Sequence, residues 1–310
     1  MSIATLTMNP TVDVSFDVSE VHPTHKIRGR AERHDPGGGG INVARVFVRL
    51  GGNARCYYLA GGAIGKALGE LLDLHQLVRN RITIAGQTRV STSIFNSLVS
   101  EQYRFVTEGP RVEAQEWQEC LDTVTRADCD YLVLSGSLPR GVPEDFYARI
   151  ARAMANSGTR VVLDSSGPAL AQGLAGGGIY LVKPSVSELN GLAGRELSGD
   201  GEIADAAQAI VQQGNAENVA VTLGSKGAIL ANASGILRLP AIRVKAVSAV
   251  GAGDSFLAAM VHALSGGRDM TDAFRFGLAA GAAAAMTEGT DLARSSDIHR
   301  LYDEAKEAGR

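Results

Sequence analysis

The stretch best equipped for chemistry is Val250-Gly251-Ala252-Gly253-Asp254-Ser255. Small and β-branched residues (247–250) lead into it, two glycines bend the backbone, and the Ala-rich apolar run 256–264 leaves as a helix. A glycine turn that opens a helix leaves backbone N–H groups without intrahelical partners at the positive end of the dipole, and such a place binds anions. A carboxylate sits awkwardly beside a phosphate. It makes sense there if it touches a reacting hydroxyl while the N–H groups hold charge developing on a phosphoryl group in transfer. The same letters also suit a plain helix start with Asp254 as its cap. Two other phosphate patterns do not fit: Gly251, Gly253 and Phe256 supply only two glycines of G-x-G-x-x-G, and residues 61–67 lack the spacing and the terminal Ser or Thr of a P-loop.

A second glycine-lined opening lies near the N-terminus. Asp35-Pro36-Gly37-Gly38-Gly39-Gly40-Ile41-Asn42 runs into residues 43–50, where Val43, Val46, Phe47 and Leu50 share one helical face. Consecutive glycines carry a heavy entropic cost. Close approach of a ligand to the backbone accounts for it, with Asn42 offering a donor and an acceptor; tight helix–strand packing is the other account. The intervening chain must bring the two openings together. Residues 2–8 read as a buried strand stopped by Asn9-Pro10, with Asp13 in a mixed segment beyond. A strand over 55–60, a helix from 64 to about 79 and a strand over 82–85 follow.

Residues 90–99 and 102–106 break this rhythm, because both faces of the ribbon mix β-formers with small polar residues. That pattern reads as a β lid over a site and as a pairing surface for a second subunit. Arg89 and Arg104 bracket it. From 113 onward helices and strands alternate, each strand ending in polar or glycine-rich residues: Ser135-Gly136-Ser137, Asp164-Ser165-Ser166, Lys183-Pro184-Ser185 with Glu188, and Leu223-Gly224-Ser225-Lys226-Gly227. A hairpin (228–231 with 236–239) leads back to the first motif. The C-terminal edge of an open parallel sheet is where ligands bind, so the pattern predicts one α/β domain over residues 1–310, with a small β lid formed by about 12–31 and 88–107.

Composition narrows the function classes. The 310 residues are 45% hydrophobic and 20% charged, an ordinary soluble protein, and the net charge of −3 gives no reason to expect nucleic acid or a membrane as partner. Three scattered cysteines, no secretory signal and no apolar run near the roughly 20 residues of a membrane span predict a cytoplasmic protein.

Taken together, Pro-Gly-Gly-Gly-Gly-Ile-Asn-Val-Ala-Arg (36–45) and Val-Gly-Ala-Gly-Asp-Ser (250–255) resemble the two signature regions of the ribokinase-like, PfkB-type carbohydrate kinases. Landmarks at 5–10 with Asp13, at 101–105, at 135–139 and at 181–184 agree, so the resemblance spans the chain. Gly39, where related phosphosugar kinases commonly carry lysine, and 101–105 are similar to the minor-type bacterial 6-phosphofructokinases. The resemblance implies a three-layer sandwich around a mostly parallel sheet and transfer of the γ-phosphoryl of ATP to the 1-hydroxyl of fructose 6-phosphate. Fructose 1-phosphate and tagatose 6-phosphate are the alternative substrates, a non-catalytic sugar-phosphate-binding regulator a further reading, and a nicotinamide dehydrogenase lacks its glycine fingerprint. Asp254 would be the base, its pKa lowered by the helix dipole, with Gly251, Ala252 and Gly253 as the anion hole. Asp13, Gly38, Gly39, Gly40 and Asn42 would hold the sugar, and Lys26, Arg28, Arg89, Arg104 and Ser137 the phosphates. Lys183, Ser185, Thr222, Gly224, Ser225, Lys226 and Gly227 would line the ATP site, with Glu188 organising Mg²⁺ through water and K⁺ near Ser248 and Val250. A homodimer joined through the lid completes the expectation.

Overall fold

The computed structural model describes residues 2–308. In chain order it runs β1 (Ser2–Thr7), β2 (Thr11–Val18), β3 (Arg30–Gly37), α1 (Gly39–Arg49), β4 (Asn53–Ala60), α2 (Gly62–Leu74) and β5 (Val78–Thr83). Next come β6 (Arg89–Asn96), β7 (Glu101–Val106), α3 (Ala114–Val124), β8 (Tyr131–Ser135), α4 (Phe146–Met154), β9 (Arg160–Asp164), α5 (Gly167–Ala175) and β10 (Ile179–Val182). The chain ends with α6 (Val186–Ala193), α7 (Gly199–Gln212), β11 (Ala216–Thr222), β12 (Gly227–Asn232), β13 (Gly235–Pro240), α8 (Ala252–Ser265), α9 (Met270–Ala285) and α10 (Ser295–Glu307).

Nine strands form the central sheet in the order β13-β12-β11-β10-β9-β8-β1-β4-β5. All pairings from β11 to β5 are parallel, and the hairpin β12–β13 adds an antiparallel edge. Its central strands are apolar on both faces, as a sheet covered on both sides requires. Alternate side chains divide between two cores. Ile3, Tyr131 and Val133 pack with α1, α8, α9 and α10, whereas Ala4, Leu6, Leu132 and Leu134 pack with residues of α3, α4, α5 and α7. The molecule is thus an α/β/α sandwich. No helix among the described residues is long and apolar enough to cross a membrane.

A second sheet, β3-β2-β6-β7, stands apart from the first. β2, β6 and β7 come from the two expected lid segments, whereas β3 (Arg30–Gly37) overlaps the first of them only at residues 30 and 31. Asp13 sits inside β2, and β6 pairs with β2 in parallel as well as with β7. The exposed outer residues of β7 include Tyr103, Phe105 and Val106.

Two local readings need correction. The helix expected to reach about 79 ends at Leu74, because Gln76 turns the chain at a φ of 57° and residues 78–83 form a sheet edge. Asn80 falls between Val78 and Ile82 on the strand's apolar face and interrupts its period-two pattern. Helix α5 has no counterpart in the sequence pattern above, although Ser166 stands at its N-cap position and Pro168 in its first turn. Residues 247–250, which lead into α8, are irregular, and Val247 and Ser248 donate backbone hydrogen bonds to Ala285 O at 2.7 and 3.2 Å.

Candidate active site

The parallel register gathers the chemistry at one edge. Thr7 pairs with Ser135, Ser135 with Asp164, and Leu163 with Val182, so Asp164 and Lys183 emerge side by side. Above them, α1 and α8 open toward the same point. Gly251 is the N-cap of α8 at φ 71°, a left-handed geometry, and a Cβ there would stand 2.4 Å from Leu292 Cδ2. Gly39, in the first turn of α1, faces Ser135 and Asp254; its Cβ would lie 2.1 Å from the Ser135 hydroxyl and 3.4 Å from an Asp254 oxygen. Asn42 Nδ2 donates to Asp254 Oδ2 at 2.8 Å, joining the two glycine-lined openings directly.

Between these openings lies a cavity of about 270 Å³, room for a hexose phosphate's ring and tail. Its walls include the expected Asp13, Gly38, Gly39, Asn42, Arg89, Arg104, Ser137, Glu188, Val250, Gly251 and Asp254. Gly253 backs the site, with Lys183 Nζ 3.2 Å from where its Cβ would be, and Ala252 fills the first turn of α8. Gly40 lies outside the walls. A side chain there would meet Thr7 Oγ1 at 2.6 Å and Leu6 O at 2.7 Å, so its role is the close seating of α1 on β1.

Several expected residues lie elsewhere. Lys26 and Arg28 are exposed on the β2–β3 connection and form no part of the cavity. The strip expected to line ATP is set to one side: Thr222 bridges to Ser185, residues Gly224–Lys226 make an exposed 3-10 turn, and Gly227 begins β12. Gly227 is needed by the hairpin itself, since a Cβ would stand 2.1 Å from Leu239 O. Ser185 and Glu188 form a capping box at the start of α6, with Ser185 N and Oγ donating to Glu188 Oε2 at 2.8 and 2.9 Å. Arg89 is committed in part to the backbone, donating to Thr107 O at 2.8 Å and Asn9 O at 2.9 Å. Near Ser248 the hydroxyl donates to Gly289 O and accepts from Val250 N, both at 3.2 Å.

The electrostatics turn on burial. Desolvation pushes the Asp13 carboxyl above the usual range against the pull of Arg104 and Arg89, and its Oδ1 is buried without a hydrogen-bond partner. For Asp254 the expected depression is wrong. Its pKa is raised, because loss of water outweighs the Asn42 hydrogen bond and the attraction of Lys183. Asp164, to which the sequence pattern assigned no role, forms a 3.1 Å ion pair with Lys183. Burial and the neighbouring Asp254 and Glu188 still push its pKa up to about 6. Lys183 is itself buried, which pulls its pKa down, yet Asp164 and Asp254 more than offset this and keep the ammonium charged. One cation thus serves a group of carboxylates. Asp164 carried a signal, as a polar residue ending a parallel strand, but only the register shows what it faces.

No group of three His, Cys, Asp or Glu among the described residues is arranged to hold a metal ion unaided. Glu188 and Asp164 line the cavity singly. That donor set fits a Mg²⁺ held mostly by the phosphates of a nucleotide and reached by one or two carboxylates.

Comparison with known proteins agrees with this geometry. The pattern of the pfkB family carbohydrate kinases matches residues 6–297. An ATP-dependent 6-phosphofructokinase isozyme 2 of Mycobacterium tuberculosis is 42% identical over 98% of this chain and 90% of its own. Phosphofructokinase-2 of Escherichia coli, crystallised in complex with potassium, superposes with a TM-score of 0.94 at 37% identity, covering 98% of this chain and 99% of its own. A tetrameric inhibited form of that protein is also similar, with a TM-score of 0.92 at 36% identity over 98% and 99% of the two chains. Ribokinase of Thermotoga maritima, 20% identical, shares the fold at a TM-score of 0.77 over 98% and 99% of the two chains. The fold is therefore ribokinase-like, and the chain belongs to the pfkB family of carbohydrate kinases, phosphotransferases that act on a sugar hydroxyl.

Proposed function

We propose that the protein is an ATP-dependent 6-phosphofructokinase that phosphorylates the 1-hydroxyl of fructose 6-phosphate. The observation that carries this is Asp254, in the first turn of α8 and hydrogen-bonded to Asn42 of α1, facing a cavity with Asp13 and two arginines on its other walls. The sugar lies along Gly38, Gly39, Asn42 and Asp13, and its phosphate faces Arg89, Arg104 and Ser137. Asp254 orients the acceptor hydroxyl and takes its proton as the oxygen attacks the γ-phosphorus; the bond from that phosphorus to the ADP oxygen breaks. The raised pKa makes Asp254 a stronger base than its helix position alone would allow. The N–H groups of Gly251, Ala252 and Gly253, backed by the Lys183 charge, receive the phosphoryl oxygens in transfer.

ATP extends from that point over Lys183 and Ser185 toward Thr222, Gly224, Ser225, Lys226 and Gly227. Glu188 would reach a bound Mg²⁺ through water, and the ion would supply charge neutralisation on the phosphates. The carbonyl and hydroxyl oxygens around Ser248, Val250 and Gly289 are the donor type of a hard monovalent ion, and we place K⁺ there. The small sheet acts as a lid on a single kinase domain. Its exposed β7 joins a second copy in a homodimer, the basal unit from which a tetramer such as the Escherichia coli form can be built. Lys26 and Arg28 then act on phosphates only across that interface or after closure. The free thiols of Cys56, Cys120 and Cys129 fit a cytoplasmic location.

ADP release is measured from ATP and Mg²⁺ with fructose 6-phosphate, fructose 1-phosphate and tagatose 6-phosphate. Preference for fructose 6-phosphate is expected. A higher kcat/KM on either of the others overturns the substrate assignment, and inactivity on all three favours a sugar-phosphate-binding regulator.

A further inference from the structure

We propose that Arg45 is a positioning residue: it holds the Asn42 side-chain amide in the one orientation that turns its NH₂ toward Asp254. The proposal rests on the reading of Asp254 as the base. Asn42 and Arg45 are three residues apart on α1 and share a face. The Arg45 side chain is only 2% exposed, an unusual place for a guanidinium. Its NH1 donates to Pro36 O at 3.0 Å and to Asn42 Oδ1 at 3.4 Å, while NH2 donates to Asp35 Oδ1 at 3.1 Å. Thr290 Oγ1 donates to the other Asp35 oxygen at 2.8 Å, so the carboxylate is held from both sides.

An amide has two chemically opposite ends, and a swap of them changes shape very little. Asn42 lies between a carboxylate and a guanidinium. With Nδ2 on Asp254 and Oδ1 on Arg45 both contacts are attractive; after a flip a carbonyl oxygen meets a carboxylate and an NH₂ meets a cation. Arg45 has only donors and does not deprotonate, so it enforces the productive orientation at any working pH. The two ends of the chain of contacts lie in different units: Asp35 belongs to β3 of the small sheet, and Asp254 to α8 of the sandwich. The groups bearing on Asp254 from the other elements are Lys183 at the end of β10, Asp164 at the end of β9, Arg104 on β7 and Asp13 on β2. None of them touches the Asn42 carbonyl among the hydrogen bonds of the described residues.

A merely structural role, tying α1 to β3 through Pro36 and Asp35, predicts a loss independent of Asn42. The test is therefore a double-mutant cycle on the full chain: Arg45→Met, Asn42→Ala and the pair, with kcat, the two KM values and the pH profile of kcat/KM measured for each. Arg45→Met is expected to lower kcat about 10- to 100-fold with KM for ATP little changed, and to move the acid limb of the profile to higher pH. In the Asn42→Ala background the same change should cost less than about twofold more, since the group it acts through is gone. Arg45→Lys keeps the charge near Asp35 but loses the fork, and should fall between wild type and Arg45→Met. If Arg45→Met does not fold, Arg45→Lys takes its place in the cycle. Additive losses, or an acid limb that stays where it was, overturn the proposal. A wild type that turns over no hexose phosphate sinks the base assignment itself, whereas an active wild type with additive losses sinks the Arg45 role alone.

Discussion

Replacing Asp254 with Asn separates catalysis from folding in a way the structure makes quantitative. The amide introduced by Asp254→Asn can still present an oxygen to Asn42 Nδ2, so the 2.8 Å contact between α1 and α8 has a neutral counterpart and the cavity keeps its shape. What disappears is proton acceptance. A positioned general base is worth about 10²–10⁴ in rate, or about 3–5 kcal/mol of barrier, and kcat should fall by that factor. Stability should move the other way. The folded-state pKa of Asp254 is raised, so its ionised form opposes folding above the ordinary carboxylate range, and a neutral amide removes that opposition. The melting temperature at pH 8 should be equal to or above that of the wild type. ATP should bind as well or more tightly, with one carboxylate fewer beside its phosphates. The assay is a coupled ADP-release rate alongside nucleotide titration and thermal melts. Turnover within tenfold of wild type would remove Asp254 as the base, and a large drop in melting temperature would mean that the carboxylate holds the fold together instead.

Three further outcomes are expected. Gly251→Ala places a side chain at φ 71° and against Leu292, and left-handed strain with overpacking should cost about 2–4 kcal/mol in denaturant unfolding; a loss under 1 kcal/mol would show that the turn relaxes freely. Asp164 has a folded pKa of about 6 against 3.8 for the free carboxyl, so the folded state holds its proton more strongly in that window. The stability of the wild type relative to Asp164→Asn should therefore fall as pH rises from about 4 to 6, by about 3 kcal/mol at most, and a difference that rises over that range would contradict the burial argument. Phe105, 58% exposed on β7, belongs to the proposed dimer contact; light scattering should give a multiple of the monomer mass for the wild type and the monomer for Phe105→Glu. An unchanged assembly would move the interface away from the lid.

Much of the site was legible because its chemistry is local. A glycine turn followed by an apolar run marks a helix opening within a handful of residues, and α1 and α8 do begin at Gly39 and Ala252. Asp13, Arg89 and Arg104 were singled out through the family resemblance and not by residue type alone, and all three line the cavity. Gly40 was less legible, because a glycine needed for packing looks the same in sequence as one needed for a ligand. Residues 78–81 were misread because Asn80 breaks the apolar alternation of Val78 and Ile82, leaving the strand only its last residues as a signal.

By itself, the sequence determined the alternation of strands and helices, the two glycine-lined openings and the carboxylate set in one of them. Tertiary structure alone decided that Asp164 and Lys183 stand together behind that carboxylate, that Asn42 lies between it and Arg45, and that Lys26 and Arg28 lie outside the cavity. It also reversed the sign of the Asp254 shift. Dipoles and caps act over a few neighbouring residues and so can be read in order along the chain. Desolvation sums over every atom that excludes water, and those atoms come from strands and helices that meet only when the sheet is assembled.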